Sequence, residues 1–166
     1  MESENIYVTK ILKKTITIPP DRLSEDIDKE IKDTLDNEIN GICINEGYVK
    51  PNSTKILIRS EGNLRINNFK SVIYYNIEYE VLICSPSKNQ IIDCTVSEVS
   101  KSHITCYIEN YDTSPLNIIL SKHYHIGNEE YSNIKSNEKI KIKILDKKYE
   151  FQDKQILVIG YFLKII

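Results

Sequence analysis

Lysine alternates with isoleucine near the end of the chain. Lys139, Lys141 and Lys143 are separated by single isoleucines. In a β-strand these lysines point to one face, roughly 7 Å apart, which is near the spacing of successive phosphates in a nucleic acid. The pattern suits either a basic track for single-stranded RNA or the solvated face of a barrel strand, and both interpretations stay open.

A second group of basic and aromatic residues lies earlier in the same half of the chain. Its members are Lys101, His103, Tyr107, Lys122, His123, Tyr124 and His125. Aromatic rings stack on bases and cations neutralise phosphates without reading sequence, so this mixture suits single-stranded RNA. The alternative is that Tyr107 is a half-buried barrel residue and that residues 123–125 form a surface loop.

Residues for catalysis or metal binding do not occur at the spacings that those functions require. No GxSxG, HExxH or phosphate-loop motif is present. His123 and His125 have no third ligand at a suitable spacing, whereas catalytic zinc needs three. Four cysteines lie far apart in apolar runs, where we expect free thiols in the core: Cys43, Cys84, Cys94 and Cys106. The sequence predicts a protein without catalytic residues, cofactors or metals.

Charge and hydropathy narrow the classes of partner. The net charge is −2, with −3 on residues 1–84 and +1 on residues 85–166. Neither half has the strongly basic field of a protein that grips duplex DNA. No apolar run approaches the roughly 18 residues of a membrane span, and the acidic start at residues 1–4 does not resemble a secretory signal. We therefore expect an intracellular protein without a membrane partner.

The N-terminal half is predicted to contain one helix among strands. Residues 6–18 favour a strand that ends at Pro19 and Pro20. Apolar residues then recur every four positions before Gly41, which predicts an amphipathic helix with a left-handed cap: Leu23, Ile27, Ile31, Leu35 and Ile39. Further strands are predicted at residues 42–44, 48–49, 55–59 and 64–66, with turns at 45–47 and 60–63. Residues 72–84 form a long strand with one apolar face.

The C-terminal half has the layout of a small barrel. Turn-forming residues cluster at 85–89, so we place a domain boundary there and expect domains at 1–84 and 85–166. Five short strands follow, with a longer polar connection at 121–136 before the fourth: residues 90–99, 103–109, 116–120, 138–146 and 155–163. This order is typical of an OB barrel. The predicted fold class is α+β and rich in β-strands.

The join between the two halves resembles a known family. A long strand, a proline turn and an apolar strand with an acidic residue appear as YEVLICSP at 79–86 and QIIDCTV at 90–96. Upstream, GIC and GYV occur at 41–43 and 47–49, after the helix and the opening strand. In this order the chain resembles, over nearly its whole length, the stalk subunit of multisubunit DNA-directed RNA polymerases. This is the seventh subunit of eukaryotic RNA polymerase II, and archaeal polymerases have its counterpart.

The resemblance implies a division of labour between the halves. An N-terminal RNP-like domain, with one helix on an antiparallel sheet, would dock on the polymerase core near its clamp. A five-stranded OB barrel would lie near the exit path of nascent RNA, which it would bind weakly. The predicted docking residues are Asn45, Gly47, Tyr48, Asn63, Arg65 and Asn67. The predicted RNA-binding residues are Lys101, His103, Tyr107, Lys122, His123, Lys139, Lys141 and Lys143.

Composition bears on the origin of the chain. Alanine is absent, whereas isoleucine, lysine and asparagine are abundant, which points to an AT-rich genome. The length and short loops favour a large DNA virus, so the expected location is the nucleus or a cytoplasmic virus factory or virion. Whether a small helical stalk partner binds alongside stays open. The rival functions are a free-standing single-strand RNA-binding protein of translation or RNA decay, and a scaffold whose barrel binds only protein.

Overall fold

The computed structural model describes residues 6–109 and 111–166, apart from the side chain of Asn67. Residues 1–4, which are predicted not to form a secretory signal, lie outside this part. The described chain divides into two compact units. The helical unit contains Tyr7–Gly41 and Val49–Ile83, and the barrel unit contains Ile42–Tyr48 and Cys84–Ile166. The division into domains 1–84 and 85–166 stays a prediction.

The helical unit consists mainly of strands and one longer helix. Its elements are β1 (Tyr7–Ile18), α1 (Ile27–Ile39), β4 (Lys55–Arg59), β5 (Asn63–Asn67) and most of β6 (Lys70–Cys84). β6 pairs with β1, β4 and β5. Along β6 the predicted apolar face is buried from Tyr75 to Ile83 at every second residue, because successive side chains of a strand point to opposite faces.

Helix α1 is shorter than its apolar stripe predicts. It begins at Ile27, after Asp26, whose side chain accepts a hydrogen bond from the backbone N–H of Lys29. Leu23 precedes it, follows a 3-10 turn at Pro20–Arg22 and is exposed, so its inclusion in the helix was wrong. Local capping by Asp26 decides the start, not the apolar period. Ile31, Leu35 and Ile39 are buried, as predicted.

The β5–β6 hairpin contains the strand predicted at residues 64–66, which is longer than expected. β5 spans Asn63–Asn67, so it takes in the last residue of the predicted turn at 60–63, and it pairs with β6 from Asn63 opposite Tyr74 to Asn67 opposite Lys70. The turn residues Asn68 and Phe69 both have positive φ, at 50° and 63°. This is the backbone of a type I′ turn, whose twist matches that of the paired strands.

The barrel unit contains the five predicted C-terminal strands. They are β7 (Ile91–Val99), β8 (His103–Tyr107), β9 (Leu116–Ser121), β10 (Lys139–Lys148) and β11 (Ile156–Ile165). They close in the order β10-β11-β9-β8-β7, with β9 and β11 parallel. A closed five-stranded barrel with this strand order confirms the OB-type fold of this half.

The connection between β9 and β10 has more structure than predicted. It contains a 3-10 turn at Lys122–His125 and a short helix α2 at Glu129–Ser132. Ser121 caps the turn, accepting from the N–H of His123, and Asn128 caps α2, accepting from the N–H of Tyr131. Capping residues of this kind are polar, so they do not stand out in a segment that is polar throughout.

A short hairpin lies in the barrel unit except for its last residue. It is formed by β2 (Cys43–Ile44) and β3 (Gly47–Val49), with Cys43 opposite Tyr48. The backbone N–H of Cys43 donates to the carbonyl of Asp153, and the N–H of Gln152 donates to the carbonyl of Cys43, each at 2.8 Å. These bonds join the hairpin to the turn between β10 and β11.

The barrel core explains several small residues. A Cβ on Gly160 would lie 2.8 Å from Leu120 Cδ2 and 2.9 Å from Ile142 Cδ1, so the close packing of β11 requires glycine there.

The four cysteines are buried and free, as predicted. Burial raises the pKa of Cys43 to about 11 and that of Cys84 to about 12. These thiols are therefore protonated near neutral pH and act as small apolar side chains.

Within the described part of the chain, no helix has the length and apolar character that crossing a membrane demands.

Candidate nucleic-acid interface

The lysine row of β10 lies on the outer face of the barrel. Ile140, Ile142 and Ile144 are fully buried, and the lysines between them point outward. Lys139 Nζ lies 3.0 Å from Glu109 Oε2, and Lys141 Nζ lies 2.9 Å from Asp93 Oδ1. The alternation is confirmed, but two of the three charges already have carboxylate partners, so the row is not a uniformly basic track.

Tyr107 and Lys139 are brought together across β7. Thr95 stands opposite Tyr107 on one side and opposite Lys139 on the other, and it is buried. The pKa of Glu109 is lowered, mainly by its hydrogen bond with Lys139 and less by one with Thr95. Tyr107 is half-buried. This group is a compact polar patch in which the cation is neutralised.

The other predicted RNA-binding residues gather at the opposite end of β8. The N–H of Lys122 donates to the carbonyl of Ser102, at 2.9 Å, and His103 pairs with Ser121. His103 Nδ1 lies 2.9 Å from Ser102 Oγ. Lys101, Lys122 and His123 are exposed there. The eight predicted residues therefore form three groups: four at this end, Tyr107 with Lys139, and Lys141 with Lys143 along β10.

A stack of three rings was missed by sequence reasoning. His125 lies between Tyr131, at 4.3 Å and 5° between planes, and Tyr161, at 4.9 Å and 18°. His125 is buried, although residues 123–125 were weighed as a surface loop. Its Nδ1 lies 2.6 Å from the carbonyl of Ser121, and its Nε2 accepts from the N–H of Phe162 at 2.8 Å. No local pattern reveals this, because the partners lie up to 37 residues away.

The exposed end of the stack adjoins the lysine row. In the pairing of β10 with β11, Tyr161 stands opposite Lys143, and Lys164 stands opposite Lys141. Tyr161 is 37% exposed, whereas Tyr131 is buried and donates its hydroxyl to the carbonyl of Leu120 at 2.9 Å. Within the described residues, Lys143 belongs to none of the ion pairs. An aromatic ring and a lysine thus share one outer face.

The predicted docking residues fall in two places. In the barrel unit Asn45 is exposed and its carbonyl accepts from the Tyr149 hydroxyl at 2.9 Å, whereas Gly47 and Tyr48 are buried. In the helical unit Asn63 and Arg65 lie exposed on β5. The side chain of Asn67 lies outside the described part. The structure leaves the docking role of these residues a prediction.

Large apolar side chains beside Asn63 and Arg65 were not singled out from the sequence. Leu64 and Ile66 are exposed on β5, and Phe69 at the tip of the turn is 102% exposed. Leu64 stands opposite Ile73, so the hairpin has an apolar face. The signal in the sequence was the alternation of Leu64 and Ile66 with polar residues, which a strand converts into a single face.

Among residues 6–109 and 111–166, no three or more histidine, cysteine, aspartate or glutamate side chains are grouped as a metal site would need.

The fold is that of a β-rich protein with an OB-type barrel, and comparison with known proteins adds a relative. No family model matches the sequence. The chain is 26% identical over 171 aligned positions to a protein of Acanthamoeba polyphaga mimivirus that is provisionally named a DNA-directed RNA polymerase subunit. The alignment covers 98% of this chain and 85% of the mimivirus protein. The similarity therefore spans both units.

Proposed function

We propose that this chain is a non-catalytic subunit of a viral DNA-directed RNA polymerase. The observation that carries the proposal is the nearly end-to-end similarity to the mimivirus protein named as such a subunit. Its partners would be the other polymerase subunits, in the virus factory, the virion or the nucleus. Because the aligned region includes both units, the proposal concerns the whole chain.

The finer proposal is that the protein is the stalk. The segments at 79–86 and 90–96, on which the family resemblance rests, form the end of β6, the turn after it and the start of β7. A long strand leading into a closed OB-type barrel is the arrangement that the resemblance implies. In this role the helical unit would be the RNP-like domain near the clamp, and the barrel would lie beside nascent RNA.

Docking would use the β5–β6 hairpin, which we name the docking arm (residues 63–74). Exposed apolar side chains of this size mark binding surfaces when they lie together. Phe69 holds a left-handed backbone, which costs a residue with a bulky side chain of order 1–3 kcal/mol, and this conformation projects the ring into solvent. The arm thus resembles an anchor that fills a pocket on a partner.

The charge of the arm indicates the kind of pocket. Residues 62–77 contain Arg65 and Lys70 and no acidic residue, although the whole chain has a net charge of −2. A partner surface with an apolar floor and an acidic rim would complement both the exposed apolar side chains and the positive charges of the arm. Three of the six predicted docking residues, Asn63, Arg65 and Asn67, lie on this arm.

The test is co-purification of the tagged full chain with the large subunits of the polymerase of the same virus. Phe69→Ser should reduce binding at least about 30-fold, because buried aromatic anchors contribute about 2 kcal/mol or more. Phe151→Ser is the matched control, since Phe151 is also exposed but lies in the barrel unit, and it should bind as the wild type does.

Two results would refute the proposal at different levels. If the wild-type chain stays monomeric and never co-purifies with the large subunits, it is not a polymerase subunit. If it co-purifies and Phe69→Ser binds as tightly as Phe151→Ser, the subunit proposal stands and docking by the arm is wrong.

A free-standing single-strand RNA-binding protein is the second candidate, favoured by the exposed Tyr161 beside Lys143 on the barrel. It predicts RNA binding by a chain that does not associate with the polymerase.

A further inference from the structure

We propose that Tyr161 and Lys143 form a binding subsite for single-stranded RNA. One base would stack on the exposed face of the Tyr161 ring, and Lys143 would contact a neighbouring phosphate. The subsite deepens the proposed function and rests on it for the source of the RNA, which would be the transcript. It joins Lys143, one of the predicted RNA-binding residues, to Tyr161, which was not among them, and it differs from the site expected on β8 and after β9.

The Tyr161 ring is held in place before any ligand arrives. One of its faces packs on His125, whose centroid lies 4.9 Å away. His125 is fixed by hydrogen bonds at both ring nitrogens, one of them to the backbone N–H of Phe162, the residue next to Tyr161. A side chain that is already ordered loses little conformational freedom on binding, so more of the stacking free energy appears as affinity.

The Tyr161 ring is covered by His125 on one face only, as far as the ring pairs of the described residues show. The residue is 37% exposed, so we propose that a base would stack on the face opposite His125. Within the described residues the Tyr161 hydroxyl makes no hydrogen bond. A polar contact of the hydroxyl therefore does not explain why this side chain is exposed. Every nucleobase has a π face, so stacking here would tolerate any sequence.

The strands around the ring are the most basic part of the barrel. β10 and β11 together contain six lysines and one acidic residue, Asp146. Asp93 neutralises Lys141, and Glu109 neutralises Lys139. Lys143 and Lys164 belong to none of the ion pairs of the described residues. Lys143 stands opposite Tyr161, and Lys164 stands opposite Lys141. Cations next to an exposed ring suit a nucleic acid, which offers phosphates and bases at a regular spacing.

The experiment measures binding of the full chain to a fluorescently labelled 12-nucleotide oligouridine by anisotropy. Tyr161→Leu should weaken binding about tenfold, because leucine packs on His125 but cannot stack on a base. Tyr161→Phe, which keeps the ring, should bind as the wild type does. Phe151→Leu is the matched control, since Phe151 is an exposed aromatic residue of the barrel unit that lies outside the three-ring stack and outside the predicted RNA-binding residues.

Lys143→Gln tests the phosphate contact without disturbing the stack. It should weaken binding and reduce the slope of log K against log salt by about 0.7, the value for one phosphate of a single strand. Lys55→Gln, an exposed lysine on β4 of the helical unit, should leave the slope unchanged.

Three results would overturn the subsite. The first is failure of the wild type to bind the oligonucleotide, and the second is equal binding by the Tyr161→Leu and Phe151→Leu variants. The third is a Tyr161→Leu variant that keeps RNA affinity but loses the polymerase, which would make the ring a protein contact. If RNA binding depends on Tyr161 and Lys143 in a chain that never joins a polymerase, the subsite stands and the proposed subunit role fails.

Discussion

His125 occupies a position in which both ring nitrogens have a defined role. Nδ1 faces the carbonyl of Ser121 and so carries the proton, whereas Nε2 accepts from the N–H of Phe162. Only the neutral imidazole satisfies both partners. The residue therefore fastens the 3-10 turn to β11, and its place between Tyr131 and Tyr161 makes it the centre of the ring stack.

Removing the imidazole should be costly for the barrel. His125→Ala leaves the N–H of Phe162 without a partner in a buried place and removes the ring from the stack, so we expect the free energy of unfolding to fall by about 2–4 kcal/mol. Urea denaturation should show a lower midpoint with an unchanged slope.

His123→Ala is the control for that experiment. His123 is exposed two residues earlier, and its removal should change the free energy of unfolding by less than about 0.5 kcal/mol. Equal midpoints for the two alanine variants would show that His125 does not brace the barrel.

At the scale of the element, strands were easier to predict than the ends of the helix. The burial of Tyr75 to Ile83 at every second residue follows from the pattern alone. The start of α1 does not, because Leu23 fits the apolar period and is nevertheless exposed before the helix. The helix starts at the cap, because the Asp26 side chain accepts from the N–H of Lys29, one of the N–H groups that the first turn of a helix leaves unpaired.

The cap gives a prediction for α1. Asp26→Ala should lower the free energy of unfolding of the helical unit by about 1 kcal/mol, because the side-chain acceptor of the Lys29 N–H is lost. Asp33→Ala removes the same charge from an exposed position inside α1 and should shift it by no more than about 0.5 kcal/mol. Far-ultraviolet circular dichroism during urea unfolding measures both. A loss as large for Asp33→Ala as for Asp26→Ala would attribute the effect to charge and not to the cap.

At the scale of the molecule, the sequence predicts the barrel well and the candidate sites only in part. Five strands with a long connection before the fourth suffice for an OB-type layout, and the alternating isoleucines of β10 predict which of its faces is buried. The direction of the β10 lysines was also predictable, but their carboxylate partners come from β7 and from Glu109. The ring stack was not predictable, because its residues 125, 131 and 161 are far apart in the sequence. The docking arm was predictable only in part, because its length depends on how far β5 extends. Contacts between distant segments have no periodic trace in the sequence.

The docking arm and the Tyr161 subsite belong to different units of the chain, and this predicts that their functions separate. Phe69→Ser should weaken assembly with the polymerase at least about 30-fold and leave oligouridine affinity at the wild-type value. Tyr161→Leu should weaken oligouridine binding about tenfold and leave assembly unchanged. Because each position acts within its own unit, the double variant should show the sum of the single free-energy changes in each assay within about 0.5 kcal/mol. A free-standing RNA-binding protein would respond only to Tyr161→Leu, and a protein scaffold only to Phe69→Ser. An oligouridine affinity that falls with Phe69→Ser as much as with Tyr161→Leu would refute the separation and point to one continuous binding surface.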